Sequence, residues 1–145
     1  MKRIVVVYHS YRGLTGQLVE AFQKGVETNG GKCELLQATD ASPENLLDAD
    51  IIVLASGQPF NTLSGPVKAF VERCWNYEGK ANFAGKGYTT IINGSKDPLA
   101  VVNYLDSIMP FFKLEKVADG LACLANDVEE SIKLAEEFGA KLAKN

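Results

Sequence analysis

The chain has 145 residues, of which 46% are hydrophobic and 23% charged, enough for one full-sized core and too apolar for a disordered segment. A net charge of −3 with a pI near 5.2 argues against nucleic acid as the main partner. No apolar run approaches the roughly 20 residues of a membrane span, and the run after Lys2 and Arg3 is too short for the core of a signal peptide. Cys33, Cys74 and Cys123 are odd in number and far apart, with no CxxC pair. They predict reduced thiols and a cytoplasmic setting, with neither a disulfide framework nor a zinc site.

Residues 2–15 read KRIVVVYHSYRGLT. Ile4, Val5, Val6 and Val7 are consecutive β-branched residues and predict a strand buried on both faces. The run stops at His9, a short polar loop follows, and Gly13 opens a helix. Its apolar residues Leu14, Leu18, Phe22 and Val26, four apart, fall along one stripe. Asn29-Gly30-Gly31 ends that helix, and residues 32–36 form a second strand. Ser42-Pro43-Glu44 starts a helical turn through Leu46 and Leu47. Asp50 precedes IIVLA at residues 51–55, a third strand of the same doubly buried kind. A loop over residues 56–63 leads to Ser64-Gly65-Pro66, a helix start with proline near the first position. Val67, Phe70, Val71 and Cys74 take its core side. Residues 88–92 give a fourth strand, ended by Asn93-Gly94-Ser95. Asp97-Pro98 caps the next helix, whose buried stripe is Val101, Val102, Leu105, Ile108, Met109 and Phe112. A fifth strand falls within residues 114–124, in the second half of that stretch. Asn126 or Asp127, with Glu129 or Glu130 three residues on, reads as a capping box for a last helix faced by Val128, Ile132, Ala135, Phe138 and Leu142. Without repeat, linker or low-complexity segment, residues 1–145 are expected to form one domain.

Strands alternating with helices require an α/β fold with a parallel sheet, helices on both faces and right-handed crossovers. The ligand then lies beyond the carboxyl ends of the strands, where the winding reverses. Three loops converge there, at residues 10–15, 56–63 and 93–97. The first joins a hydroxyl-bearing turn to a helix start, whose free N–H groups and positive dipole end suit a phosphate, with Ser10 and Thr15 as added donors. Any α/β domain has a strand, loop and helix of this kind, so phosphate binding and plain architecture both remain open at this point. The second loop exceeds the usual length of about two to six residues and carries Gln58, Pro59, Phe60, Asn61 and Thr62. It reads as a binding wall if Phe60 faces the cleft, and as packing if Phe60 tucks into the core.

Several chemistries are excluded. There is no G-x-x-x-x-G-K-[ST], and Gly13 with Gly16 does not make G-x-G-x-x-G. The acidic residues that a receiver domain needs after its first and third strands are replaced by His9-Ser10 and Ala55-Ser56. His9 is the only histidine and adjoins Ser10, so no hydrolase triad is indicated. No cysteine follows a strand in a phosphate-cradling loop. The chain therefore offers no catalytic side chain of its own and no metal-ligand set.

SYRGLT at residues 10–15 resembles the flavodoxin phosphate loop S-x-[T]-G-x-T, with Ser10, Gly13 and Thr15 in register and Arg12 where a hydroxyl residue is usual. ASGQPFNTLSGPVKAFVERC at residues 55–74 is similar to the segment after the third strand in flavodoxin-like quinone and flavin reductases, with a shorter variable part. Asn93-Gly94-Ser95 supplies a third loop. Together the resemblance to the flavodoxin family covers most of the chain. It implies a three-layer, doubly wound, five-stranded parallel sheet of order 2-1-3-4-5, of the short-chain type that lacks an insertion in the last strand.

The resemblance further implies noncovalent FMN. Its phosphate would lie over the N–H groups of Tyr11, Arg12, Gly13, Leu14 and Thr15, aided by the hydroxyls of Ser10 and Thr15. The Arg12 side chain either pairs with the phosphate or points to solvent. Gln58, Pro59, Phe60, Asn61 and Thr62, with Asn93, Gly94 and Ser95, would hold the ring, and Phe60 would stack on it. Gly57 would allow a backbone change that offers a carbonyl to the ring. Three functions follow from this. One is an electron carrier serving a redox partner protein. Another is an NAD(P)H-dependent quinone or flavin reductase acting on a small acceptor. A flavodoxin-fold module without flavin is the third. The cations Arg12, Lys68 and Lys96 at the rim favour the reductase, and the short second loop favours the carrier. Trp75 and Tyr77 belong either to a subunit contact or to local packing.

Overall fold

The computed structural model describes residues 1–145. β1 (Arg3–His9) carries the β-branched run Ile4-Val5-Val6-Val7, all four side chains buried. It lies between β2 (Lys32–Gln37) and β3 (Ile51–Ser56) and is parallel to both, with Ile4 opposite Cys33 on one side and Ile51 on the other. β4 (Gly87–Gly94) pairs with β3, bringing Ile92 opposite Ser56. Every residue of β3 and β4 is buried, which accounts for the apolar run IIVLA of β3. The strand order is β2-β1-β3-β4-β5, as the resemblance implied.

Alternation along the strands sorts side chains into two cores. Ile4, Val6, Ile51, Val53, Ala55 and Ile91 pack under α1 (Leu14–Glu27) and α4 (Val128–Lys144). Val5, Val7, Ile52, Leu54 and Ile92 pack under α2 (Gly65–Asn76) and α3 (Pro98–Ile108). The helices on the first face meet through two glycines. A Cβ on Gly25 would run into the Glu136 carbonyl, and one on Gly139 into the Phe22 carbonyl. This backbone-to-backbone approach packs α1 close against α4.

Between β2 and β3 the chain makes the short helical turn that was expected, a 3-10 turn over Pro43–Leu46, so four α-helices accompany the five strand positions. The turn is capped by Ser42 and Asn45. Arg73 Nη2 donates to the carbonyls of Ala38 (2.7 Å) and Ala41 (3.0 Å), and Lys86 Nζ to those of Leu47 (2.7 Å) and Ala49 (2.8 Å), so side chains from neighbouring elements satisfy backbone that a helix would have satisfied itself.

Two other details, in the fifth strand and at the end of α3, differ from the sequence reading. The fifth strand comes in two pieces, β5 (Glu115–Lys116) beside Gly87 and Tyr88, and β6 (Leu121–Leu124) beside residues 91–94. β6 is the half that was expected; β5 was not. Between them Thr89 Oγ1 donates to Ala118 O (3.0 Å), and Gly120 leaves the space that Thr90 Oγ1 occupies. The break is a local bulge of residues 117–120, and no long insertion splits the strand. Finally, α3 passes at Met109–Phe112 into a 3-10 turn that keeps Met109 and Phe112 in the core, leaving Ile108 only partly buried.

Trp75 lies within α2, edge-on to Phe111 and Phe112, and Tyr77 stacks on Phe83 at 5.8 Å, so both pack locally. The three cysteines are free and buried. Burial pushes the thiols of Cys33 and Cys74 up to about 12, so both stay protonated and inert near neutral pH. No helix is long and apolar enough to cross a membrane.

The glycine contact yields a stability prediction. Gly139→Ala gains helix propensity worth about 1 kcal/mol, yet its methyl meets a carbonyl that cannot move without shifting α1. The overpacking cost of about 1–3 kcal/mol or more prevails. A lowered urea midpoint with unchanged m-value is expected, and an equal or higher midpoint would refute the close approach.

Candidate functional site

The first loop ends at Gly13, whose backbone is left-handed (φ 87°) and turns the chain into α1. Ser10 Oγ accepts the Gly13 N–H at 2.9 Å, closing the turn and leaving the Ser10 hydroxyl hydrogen free to point outward. Gln17 is the first residue to close a helical bond, to Gly13 O at 3.0 Å. The N–H groups of Tyr11, Arg12, Leu14, Thr15 and Gly16 therefore spend no hydrogen bond within the chain. No carboxylate sits in the first turn of α1. Five unspent donors at the positive end of a helix dipole form a cradle for an anion. The space a Cβ would take on Gly13 or Gly16 is empty to 4 Å, so the cradle is open to a ligand. Arg12 is exposed and forms no ion pair or hydrogen bond through its side chain.

The second loop is fastened at both ends by one buried hydroxyl. Ser56 Oγ donates to Gly57 O (2.6 Å) and accepts from Ser64 N (3.1 Å). Leu63 anchors the loop in the core, and a 3-10 turn at Pro59–Asn61 forms its tip. There Phe60 (φ 52°) and Asn61 (φ 64°) both adopt left-handed backbone, a conformation that costs an L-residue about 1–2 kcal/mol. Phe60 is also 98% exposed, which excludes the core position weighed for it. Nothing in the chain repays an aromatic ring held in water on strained backbone. Strain of this kind clusters at ligand sites and switch regions. Thr62 is exposed beside it, with Pro59 half-buried.

Gln58 behaves differently. Its Nε2 donates to Asp97 O across the cleft, and its side chain fills the space over Gly94 that any Cβ would need. Gln58 ties the second loop to the third, so its side chain is spent on the protein.

Asn93 and Gly94 are the last residues of β4, and Ser95 is exposed beyond them. Thr15 Oγ1 donates to Asn93 Oδ1 at 2.6 Å, and both side chains are buried. The missing Cβ of Gly57 would lie 3.9 Å from both Thr15 Oγ1 and Asn93 Nδ2. All three loops meet at this point. Its side-chain bond joins residues so far apart in sequence that no local pattern signals it.

His9, the only histidine, is the strand-end residue that the sequence suggests. It ends β1 beside Ser56, its ring meets Tyr11 edge-on at 4.5 Å, and its Nδ1 is buried without a partner. Lys68 is engaged by Glu72 at 2.9 Å, which raises its pKa, leaving Arg12 and Lys96 as the unpaired cations near the cleft. Tyr11, Phe60 and Leu99, all more than half exposed, add apolar surface at this end of the sheet. A hollow of about 300 Å³ at the opposite end is lined by Arg3, Lys32, Glu34, Glu44 and Asp48, a mixed-charge set with no convergent loops.

No family model matches the chain, and no curated protein matches it in sequence. Solved structures do. A flavodoxin from the domain Archaea superposes with a TM-score of 0.84 at 17% identity, covering 98% of this chain and 96% of its own. A flavodoxin, WrbA-like protein from Agrobacterium tumefaciens gives 0.84 at 22% identity, covering 99% and 96%. The flavodiiron protein from Giardia intestinalis gives 0.82 at 23% identity over 99% of this chain, which spans only 36% of that protein. The fold is flavodoxin-like.

Backbone strain at the loop tip makes a prediction that needs no ligand. Phe60→Gly is expected to raise the stability of the chain by about 0.5–1 kcal/mol, because glycine accepts a left-handed backbone freely. Thr62→Gly, at φ −136°, is expected to lower it. Urea midpoints of the two variants check this, and a fall for Phe60→Gly would remove the strain from the account.

Proposed function

We propose that the chain binds FMN at the carboxyl ends of β1, β3 and β4 and serves as an electron carrier. The observation that carries this reading is the pairing of five unspent N–H groups at the start of α1 with the free-standing, strained Phe60 on the neighbouring loop. One end of the cleft suits a phosphate dianion and the other an aromatic plane. When bound, FMN supplies reversible transfer of one or two electrons. The N–H groups of Tyr11, Arg12, Leu14 and Thr15 bind its phosphate, and the Ser10 hydroxyl donates a further bond. The Arg12 guanidinium lies free to add a charge-assisted one. Phe60 stacks on the ring, and the backbone of Gly57, Pro59, Asn61, Thr62, Gly94 and Ser95 meets its polar edge. Gly13 takes part through its conformation, since its own N–H is already held by Ser10.

The carrier reading draws support from the exposure of Phe60. Phe60 stands clear of the chain, so a ring held against it would be within reach of a partner protein, and the short second loop leaves little wall for a closed substrate pocket. The archaeal flavodoxin, matched over nearly its whole length, favours the same reading. Residues 1–145 then act as one domain, and the buried, protonated thiols are consistent with a reducing cytoplasm.

An absorption spectrum after reconstitution with FMN, followed by NADPH without air, tests the proposal. Flavin bands that persist with NADPH support a carrier. Rapid bleaching would make the chain a reductase, and absence of bands would make it a flavin-free module. Riboflavin is expected to bind much more weakly than FMN. Arg12→Thr is expected to weaken FMN binding by no more than about tenfold and to flatten its dependence on ionic strength, because part of the attraction is a screened charge pair. Dissociation constants at several salt concentrations, parallel for the two proteins, would place Arg12 away from the phosphate.

A further inference from the structure

Thr15 and Asn93 are 78 residues apart in sequence, yet one buried bond of 2.6 Å joins the first turn of α1 to the end of β4. Thr15 is 3% exposed and Asn93 8%, so the bond between them is largely shielded from water. A hydroxyl has one hydrogen, and that of Thr15 goes to Asn93 Oδ1. A phosphate dianion only accepts, so Thr15 cannot donate to it while donating to Asn93.

A carboxamide can resolve this conflict because it carries an acceptor and a donor on the same carbon. Turned end for end, Asn93 presents Nδ2–H to Thr15 Oγ1 and releases the threonine hydrogen for the anion. Asn93 Nδ2 makes no hydrogen bond in the chain, so the turn gives up no bond on that side. The turn has a second effect. Nδ2 now lies on the side of Gly57, 3.9 Å from where its Cβ would stand, and the reversal puts a carbonyl oxygen there instead. The start of the second loop then faces an acceptor where it had faced a donor.

Resting on the FMN reading above, we propose that the Asn93 side chain is a positioning residue that couples the phosphate loop to the ring-binding loop by reversing its amide when phosphate binds. Coupling of this kind is reciprocal: phosphate in the first loop favours the ring site, and the ring favours phosphate.

The flavin-free protein gives the first test. Inorganic phosphate is expected to shift the Asn93 side-chain NH2 signals in a nitrogen-15 spectrum and slow their exchange with water. Thr15→Val should abolish that response, and Thr15→Ser, which keeps the hydroxyl, should retain it. Signals that ignore phosphate in the wild-type protein would overturn the proposal, whatever the variants do.

Flavin titrations give the second test. Asn93→Asp can accept from Thr15 but cannot donate to it, so the ratio of FMN to riboflavin affinity is expected to fall about 10–100-fold, the worth of one hydrogen bond to a charged group. Asn93→Leu adds no charge and holds no hydrogen of Thr15. It should keep the ratio at or above the wild-type value while removing the enhancement of riboflavin binding by inorganic phosphate. Equal losses for both flavins in both variants would make Asn93 a structural tie and overturn the proposal. A wild-type protein that binds neither flavin, yet shows the phosphate-dependent amide signals, would overturn the FMN reading and leave the reversal standing.

Discussion

The reversal of winding at β1 is the constraint on which the rest depends. β1 bonds β2 on one edge and β3 on the other, and the chain leaves it for β2 by way of α1. Crossovers are right-handed, so a connection running one way across the sheet covers one face and a connection running the other way covers the opposite face. α1 therefore descends one side and α2 the other, and their first turns part above β1 and β3. No element of the chain fills the gap between them. Its walls are whatever follows His9, Ser56 and Gly94.

The walls are not independent of the scaffold. Gly25 and Gly139 bring α1, which carries Thr15 in its first turn, close against α4. Ser56 pins both ends of the second loop, so strain at Phe60 and Asn61 cannot drain away through the loop's base. Gln58 and Asn93 then cross the gap in two places, one to Asp97 and one to Thr15. The cleft is a small network of side chains strung between rigid strand ends, an arrangement that positions a ligand more finely than free loops do.

Much of this was legible in the sequence because it is written in local code. Ile4 to Val7 and the IIVLA run name the central strands, Gly13 the turn into α1, and Ser64-Gly65-Pro66 the start of α2. What escaped is non-local or runs against propensity. The second connection was read as a helical turn, but nothing local shows that Arg73 from α2 and Lys86 from the segment before β4 hold it in place. The last strand breaks where Gly120 makes room for a threonine on its neighbour. Propensity assigns left-handed backbone to glycine or asparagine, so nothing local foretells it for Phe60. Thr15 and Asn93 were both marked as ligand-binding from their loops, one for its hydroxyl and the other for its backbone. That they bind each other is a fact of the fold alone.

The bonds from Arg73 and Lys86 have a bearing on the conditions the protein tolerates. Their acceptors are peptide carbonyls of residues 38, 41, 47 and 49, which neither take up protons nor carry net charge. Acid strips a surface ion pair by protonating its carboxylate, and brine weakens it by screening; both apply to Lys24 with Glu136 and to Lys68 with Glu72. Neither acts with comparable force on a cation bonded to a carbonyl. The side-chain bonds that hold the connection between β2 and β3 to α2 and to the segment before β4 therefore depend less on acid and salt than the helix-borne pairs do.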